Sequence, residues 1–174
     1  MTSDESSAPR DPASLLLAEV KGGFRAQREL GEGALRQLAP EDWHAALDEE
    51  ANSIAVIVRH LDGNMRSRWN DFLTSDGEKP SRDRDGEFEP TETSPDELWT
   101  VWHRGWDAVF AALEELSADD LTRLVTIRGR PLTVAGAVVR QLTHYAQHVG
   151  QILLLAKHLR GDAWRTLSIP KRRG

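Results

Sequence analysis

The sequence predicts an all-α protein built as a four-helix bundle, and three observations support this prediction. Four segments carry apolar residues at the three- and four-residue spacing of an amphipathic helix. Each segment follows residues that favour a helix start, either a side chain that can cap the helix or a proline. The last segment is a long apolar run, from Val134 to Leu159, that two histidines interrupt. A helix that is apolar on nearly every side belongs in the middle of a bundle.

The first two predicted helices lie before residue 73. The first runs from Pro12 to about Leu38 and follows an aspartate that can cap it. The second follows a cap at Asn52 or Ser53 and extends to about Phe72. β-branched residues crowd the first turns of this second helix, but the 3.6-residue period that follows favours helix over strand.

The other two helices follow a long connecting segment. The third begins at a capping box with proline, Ser94-Pro95-Asp96-Glu97, and runs to about Leu116. Its apolar face carries three tryptophans that we expect in the core: Trp99, Trp102 and Trp106. The segment Leu124 to Leu132 has β-forming residues around a glycine turn, which predicts a small two-stranded hairpin. Thr133 caps the last helix, and Gly161 ends it.

Length and composition are those of an ordinary globular protein. With 174 residues, 39% of them hydrophobic and 29% charged, the chain is long enough for one domain with its own core. We therefore predict a single bundle domain over residues 12–174, preceded by a disordered N-terminus at residues 1–11.

Charge and composition exclude several classes of function. The net charge of −6 argues against nucleic-acid binding, because neutralising phosphates requires a basic face. The chain has no cysteine, which excludes a disulfide framework, a thiolate ligand and a cysteine nucleophile. No signal peptide is visible, and the last apolar run carries too many polar residues for a membrane span. The default expectation is a cytoplasmic protein without a membrane partner.

Two histidines of the last helix form the most informative motif. His144 and His148 are four residues apart, which places their side chains about 40° apart on one face of an α-helix. Two imidazoles one turn apart can bind the same metal ion. Arg140 and Gln151 continue this polar line, so Gln151 could orient a ligand or a bound water, and Arg140 could hold an anionic substrate group. For Arg140, a salt bridge or an exposed position is at least as good an explanation.

The second helix carries a polar stripe. Five residues at spacings of seven, four, three and four share one face: Ser53, His60, Asn64, Ser67 and Asp71. This stripe either lines a cavity or is simply the solvated face of the helix. Asn64, one turn from His60, could support a metal ligand or cap a loop, and the two interpretations are equally good.

Together, His60, His144 and His148 suggest a metal site. Three neutral imidazoles suit Zn²⁺ first, and Ni²⁺, Mn²⁺ or iron as alternatives. Structural zinc sites usually have four protein ligands, so three histidines indicate positions left open to water or substrate. The histidine pair alone is a weak signal, since no glutamate follows its first member as in zinc proteases.

A charged segment at residues 73–93 separates the second and third helices. Irregular segments of this length are uncommon in compact domains and are often functional or disordered. Its acidic and basic residues can pair with one another, and it is long enough to connect helices that are not antiparallel neighbours.

The arrangement of the histidines resembles the DinB superfamily, the DinB/YfiT-like helical proteins regarded as metalloenzymes. The match is one histidine midway along the second helix, in Arg59-His60-Leu61, and the pair in His144-Tyr145-Ala146-Gln147-His148. Other stretches resemble one bacterial branch of unknown function: Asn52-Ser53-Ile54, Ser67-Arg68-Trp69, Gly77-Glu78-Lys79-Pro80 and Leu167-Ser168-Ile169-Pro170. The resemblance covers almost the whole chain after residue 12.

The resemblance implies a bundle of the DinB/YfiT type with a long crossover between the second and third helices. It implies a divalent metal on His60, His144 and His148, and often a homodimer. Better-understood members are thiol-dependent transferases or related enzymes, which implies a small-molecule substrate and a low-molecular-weight thiol as a possible second cofactor.

Two classes of function remain open at this point. The first is a metal-dependent enzyme that catalyses thiol transfer or metal-assisted hydrolysis, and the resemblance favours thiol transfer. The second is a non-catalytic bundle that binds an apolar ligand or a partner, with the histidines hydrogen-bonded only to their neighbours. The metal content of the protein distinguishes the two classes.

Overall fold

A computed structural model describes residues 11–169 of the chain. It contains four α-helices and one hairpin: α1 (Pro12–Leu35), α2 (Ile54–Trp69), α3 (Pro95–Glu115), β1 (Leu124–Ile127), β2 (Arg130–Thr133) and α4 (Val134–Arg160). The predicted all-α bundle and the predicted hairpin before the last helix are confirmed. The predicted disordered N-terminus lies outside the described residues, apart from Asp11, which caps α1. Within residues 11–169, no helix has the length and apolarity needed to cross a membrane.

Side-chain caps begin all four helices, as the sequence predicts. The carboxylate of Asp11 accepts hydrogen bonds from two backbone N–H groups in the first turn of α1. The hydroxyls of Ser53 and Thr133 accept one each in α2 and α4. Ser94 and Glu97 form the capping box of α3. These bonds satisfy N–H groups that the first turn of a helix leaves without a partner.

Two helices end earlier than predicted. α1 ends at Leu35, three residues before the predicted end, and the N–H groups of Gln37 and Leu38 then bond to carbonyls only three residues back, which tightens the chain into a 3₁₀-type turn. α2 ends at Trp69, because the backbone of Asp71 is left-handed with a φ of 51° and cannot continue the helix.

α2 and α3 pack against each other and run in the same direction. Asp62 near the middle of α2 contacts Gly105 in α3, and Trp69 at the end of α2 lines one cavity with Ala108 and Ala112. The chain that leaves α2 must therefore travel back along the whole helix, about 24 Å, before α3 begins. The segment 73–93 makes this return, which confirms the predicted long crossover.

α1 and α4 form the second parallel pair. Gly23, midway along α1, faces Leu142 in the first half of α4, and Gln37, just after α1, bonds to the backbone of Arg165, just after α4. α2 runs antiparallel to α4. His60 lies beside His148, whereas Trp69, later in α2, bonds to Tyr145, earlier in α4. The bundle thus consists of two parallel pairs, α1 with α4 and α2 with α3, and the two pairs run antiparallel to each other.

α4 buries only one of its faces, so the prediction that it lies in the middle of the bundle is wrong. The buried side chains of α4 follow one stripe that includes Tyr145, Val149 and Ile152. Val139 and Leu154, by contrast, are 47% and 64% exposed. In a bundle of four helices every helix keeps an outer face, and on α4 apolar residues occupy part of that face.

A buried hydrogen-bond chain joins α2 to α4. The indole N–H of Trp69 donates to the hydroxyl of Tyr145 at 2.9 Å, and that hydroxyl donates to Oδ1 of Asn64 at 3.2 Å. Trp102 and Trp106 of α3 are almost fully buried beside it, as predicted, whereas Trp99, the third tryptophan expected in the core, is only half-buried. Because the indole N–H, the hydroxyl and Oδ1 of Asn64 are paired with one another, this chain of hydrogen bonds can lie in the core and hold α2 and α4 at one position along each other.

Candidate metal centre

The imidazoles of His60, His144 and His148 meet where α2 crosses α4. One ring nitrogen of each lies within 4.8 Å of the other two. Nε2 of His144 is 3.5 Å from Nε2 of His60 and 3.1 Å from Nε2 of His148. The structure therefore brings together all three of the histidines that the sequence singled out.

The polar stripe of α2, which carries His60, is buried. Ser53, His60, Asn64 and Ser67 each have less than a tenth of their surface exposed, so the alternative of a solvated face is wrong. Asp71 was expected on the same stripe, but it lies beyond the end of the helix and is exposed. The two histidines of α4 are half-buried at the edge of that helix's buried stripe.

Hydrogen bonds at Nδ1 set the tautomers of two of the histidines. Nδ1 of His60 is 3.0 Å from Oε2 of Glu87, and Nδ1 of His148 is 2.8 Å from Oε1 of Gln151. Both partners are acceptors, so Nδ1 carries the proton and donates it in each pair. The lone pair of each Nε2 is then free to face the centre of the cluster, which is the arrangement found in metal-binding histidines.

The environment keeps the two histidines of α4 neutral. The pKa of His144 falls to about 3, first through burial and then through its neighbours His148 and His60. Burial also lowers the pKa of His148, although the hydrogen bond to Gln151 opposes the change. Neutral imidazoles are the form that binds metal, so no proton has to leave these two side chains near neutral pH.

A carboxylate of the crossover segment orients His60. Glu87 is 7% exposed, and Arg82 holds both its oxygens, with Nε to Oε1 and Nη2 to Oε2 each at 2.7 Å. Burial raises the pKa of Glu87, but the hydrogen bonds from Arg82 and His60 outweigh burial and lower it below its ordinary value. Glu87 therefore remains an anion beside His60.

Sequence reasoning did not identify Glu87. It lies 27 residues from His60, in a segment without helical or strand period, so no spacing rule connects the two. The connection comes from topology: the segment has to return along α2, and its path crosses the face that carries His60. Only the parallel course of α2 and α3 could have indicated this.

The crossover segment is held in place on both sides of Glu87. Arg59 of α2 donates to the backbone carbonyls of Gly86 and Glu89, each at 2.7 Å. Asp76 accepts hydrogen bonds of 2.9 and 2.8 Å from the N–H groups of the two turn residues of the hairpin. The segment therefore bridges α2 and the hairpin that precedes α4, and its charges also pair internally, as predicted.

The histidines open into a cavity of about 600 Å³. Its other wall residues include Asn64, Phe88, Gln141 and four arginines, namely Arg82, Arg84, Arg128 and Arg140. Asn64 and Arg140, two of the candidate residues beside the metal ligands, thus line this cavity, whereas Gln151 reaches it only through His148. Gln141 was not identified from the sequence.

The other histidines of the chain lie elsewhere. His44 bonds to the carbonyl of Thr93, His103 lies beside Arg28 of α1, and His158 is exposed.

The topology of the helices is that of a DinB-like protein, and a solved structure supports this fold. The crystal structure of a DinB-like protein from Bacillus subtilis, YjoA, matches with a TM-score of 0.60, covering 81% of this chain and 91% of that chain at 18% sequence identity. At this identity the match shows the fold alone. The chain belongs to the family DUF1572, a protein family of unknown function, which matches residues 11–173. The search of curated proteins found no match. The DinB-like fold that the sequence resemblance implies is thus confirmed.

Proposed function

We propose that this protein is a metal-dependent enzyme of the DinB type, in which His60, His144 and His148 bind one divalent ion. The observation that carries the proposal is the convergence of three Nε2 atoms, two of them with lone pairs set toward the centre by hydrogen bonds at Nδ1. A cation at the centre would accept these two lone pairs together with that of His144.

The distances in the cluster fit a small divalent ion. In a tetrahedral site with Zn–N bonds of about 2.0–2.1 Å, neighbouring ligand nitrogens are about 3.3 Å apart. The two closest Nε2 pairs here are separated by 3.1 and 3.5 Å. Imidazole ligands suit Zn²⁺ first, with Ni²⁺, Mn²⁺ or iron as alternatives. Three protein ligands leave a position open toward the cavity, as in catalytic zinc sites.

The chain's own residues prepare this site for chemistry. Glu87 orients His60 and raises the basicity of its Nε2, while Arg82 keeps Glu87 ionised. Gln151 orients His148 in the same way, through a hydrogen bond from Nδ1 to its uncharged amide oxygen. A divalent ion held there would supply Lewis acidity to a water, thiol or substrate oxygen that reaches it from the cavity.

The reaction class that we propose is the transfer of a low-molecular-weight thiol to a small-molecule electrophile. Its support is the resemblance to the DinB superfamily, and metal-assisted hydrolysis is the alternative. The proposal also includes a cytoplasmic homodimer without nucleic-acid or membrane partners. The net charge of −6 supports the exclusion of nucleic acid, and the resemblance supports the dimer, which light scattering tests through the mass in solution.

Elemental analysis of the untagged protein tests the metal site. We expect about one Zn, Ni, Mn or Fe per chain, because the three histidines together form one site for one ion. The His144→Ala/His148→Ala double variant and His60→Ala should lose the metal. His158→Ala is the matched control, because this exposed histidine lies on the same helix outside the cluster, and it should retain the metal.

The opposite result favours the second class of function. If neither the parent nor any variant holds metal after reloading, while circular dichroism shows intact helices, the metal-dependent enzyme is excluded. The protein is then a ligand-binding or interaction bundle.

A further inference from the structure

The cavity beside the histidines has a charge opposite to that of the chain. The protein carries a net charge of −6, yet four arginines line this cavity. No aspartate or glutamate is among its wall residues in the part of the chain that the structure describes. A concave site lined by one sign of charge attracts ligands of the opposite sign.

Two of the arginines are partly neutralised by carboxylates behind the wall. Arg82 binds Glu87 and Glu78, and Arg128 binds Glu78 through its Nε at 2.8 Å. Arg68 pairs with the same Glu78 at 2.8 Å. Three guanidiniums thus share two carboxylates, which leaves this cluster with one positive charge.

Arg84 and Arg140 add positive charge with little neutralisation. Arg84 lies over the ring of Phe88 at 5.6 Å, and its closest carboxylate, at 3.6 Å, belongs to Asp85, whose side chain is 96% exposed. Arg140 takes part in no ion pair within residues 11–169. Both guanidiniums therefore have donors available to a ligand.

A buried polar side chain in the same wall lacks a partner. Gln141 is 3% exposed, and its Oε1 accepts no hydrogen bond from any residue between 11 and 169. Buried polar atoms are almost always hydrogen-bonded, and an exception needs an explanation. Gln141 lines the cavity, and a rotation of its terminal amide would turn this enclosed oxygen toward a ligand N–H or O–H there.

We infer that this cavity binds a small organic oxyanion, a carboxylate or a phosphate, whose charge is held by Arg84 and Arg140 and whose N–H or O–H donates to Gln141. The inference rests on the proposed function, since it gives the substrate class of the same site. The cavity volume of about 600 Å³ is in the range of small-molecule sites. The observations on which it rests, however, are the charges and the unpaired amide, which are independent of the histidines.

Isothermal titration calorimetry on the full chain tests the inference, with lactate, inorganic phosphate and uncharged lactamide as probes. We expect at least one of the two anions to bind and lactamide not to bind, and the preferred anion identifies the charged group. Arg140→Gln should weaken anion binding about tenfold, the effect of losing one hydrogen bond to a charged group. Arg130→Gln is the control, because this exposed arginine of β2 does not line the cavity, and screening should limit its effect to about twofold.

A second variant tests the role of the amide. Gln141→Met removes the unpaired oxygen while filling a similar volume, so the free protein should unfold at a higher temperature and yet bind the anion several-fold more weakly. Equal binding of lactate and lactamide overturns the inference, and so does equal weakening by Arg130→Gln and Arg140→Gln.

The metal content of the same samples separates this inference from the proposed function. Full metal content without anion binding overturns the inference alone. Anion binding by a protein that holds no metal overturns the proposed metal site and leaves the oxyanion site standing.

Discussion

Gly63 of α2 faces the carboxylate of Glu87 and provides a direct test of how His60 is oriented. A Cβ at this position would overlap Oε1 of Glu87 and lie 2.6 Å from its Cδ. The carboxylate has little freedom to move aside, because Arg82 and His60 hold it from two directions. We therefore expect Gly63→Ala to displace Glu87 from His60.

Two opposing contributions decide the effect of Gly63→Ala on stability. Alanine in a helix interior is favoured over glycine by about 1 kcal/mol. Loss of the hydrogen bond between His60 and the charged carboxylate costs about 1.5–3 kcal/mol. We expect the free energy of unfolding to fall by about 1 kcal/mol and the metal affinity to fall about 10–100-fold, as when the partner of a metal-binding histidine is removed.

Urea denaturation and competition with a chelator measure the two effects. Gly22→Ala in α1 is the matched control, since a Cβ there meets no atom within 4 Å. It should stabilise the protein by up to about 1 kcal/mol and leave metal affinity unchanged. Glu87→Gln should reproduce the loss of affinity without the change in α2. If Gly63→Ala stabilises the protein as Gly22→Ala does and keeps its metal affinity, the orienting role of Glu87 is refuted.

Two further predictions concern the parts of the fold that support the site. Tyr145→Phe should lower the free energy of unfolding, measured in urea, by about 1–3 kcal/mol, because it leaves the two buried partners of the hydroxyl unpaired. An unchanged free energy would show that the buried hydrogen-bond chain does not contribute to stability. Burial raises the pKa of Glu78, but hydrogen bonds from Arg68 and Arg128 and the charges of Arg68 and Arg82 lower it from 4.5 to about 2. Because the folded pKa is the lower one, the stability from Glu78 is present above pH 4.5 and is lost as the pH falls toward 2. The stability difference between the parent and Glu78→Gln should therefore narrow between pH 6 and pH 3, and a constant difference would contradict the pairing.

The helices were predictable because their signals act within a few residues. Ser53, Ser94 and Thr133 cap the helices that follow them, and a cap requires only the next three residues. The end of α2 was harder to predict, because the left-handed backbone of Asp71 depends on where the chain goes next. The outer face of α4 was missed because Leu154 is apolar and hydrophobicity alone does not distinguish burial from exposure.

The residues of the site likewise include some that local spacing predicts and some that depend on the course of the whole chain. His144 and His148 are one turn apart on one helix, so their spacing already placed them together. Glu87 could not be found by spacing, whereas Gln141 lies seven residues before His148 on the same face of the helix, so spacing could have found it. Glu87 reaches His60 through the course of the crossover, and the sequence does not show that the oxygen of Gln141 has no partner within residues 11–169.

The separation of the histidines along the chain has a consequence for the molecule as a whole. His60 and His144 are 84 residues apart, so an ion bound to both closes a loop of nearly half the chain. Cross-links that close long loops stabilise a fold chiefly by restricting the unfolded chain. The sequence has no cysteine and so no disulfide to do this. A metal at this site would thus tie the first half of the protein to the second, and its removal would lower the melting temperature of a bundle whose helices had kept every other contact.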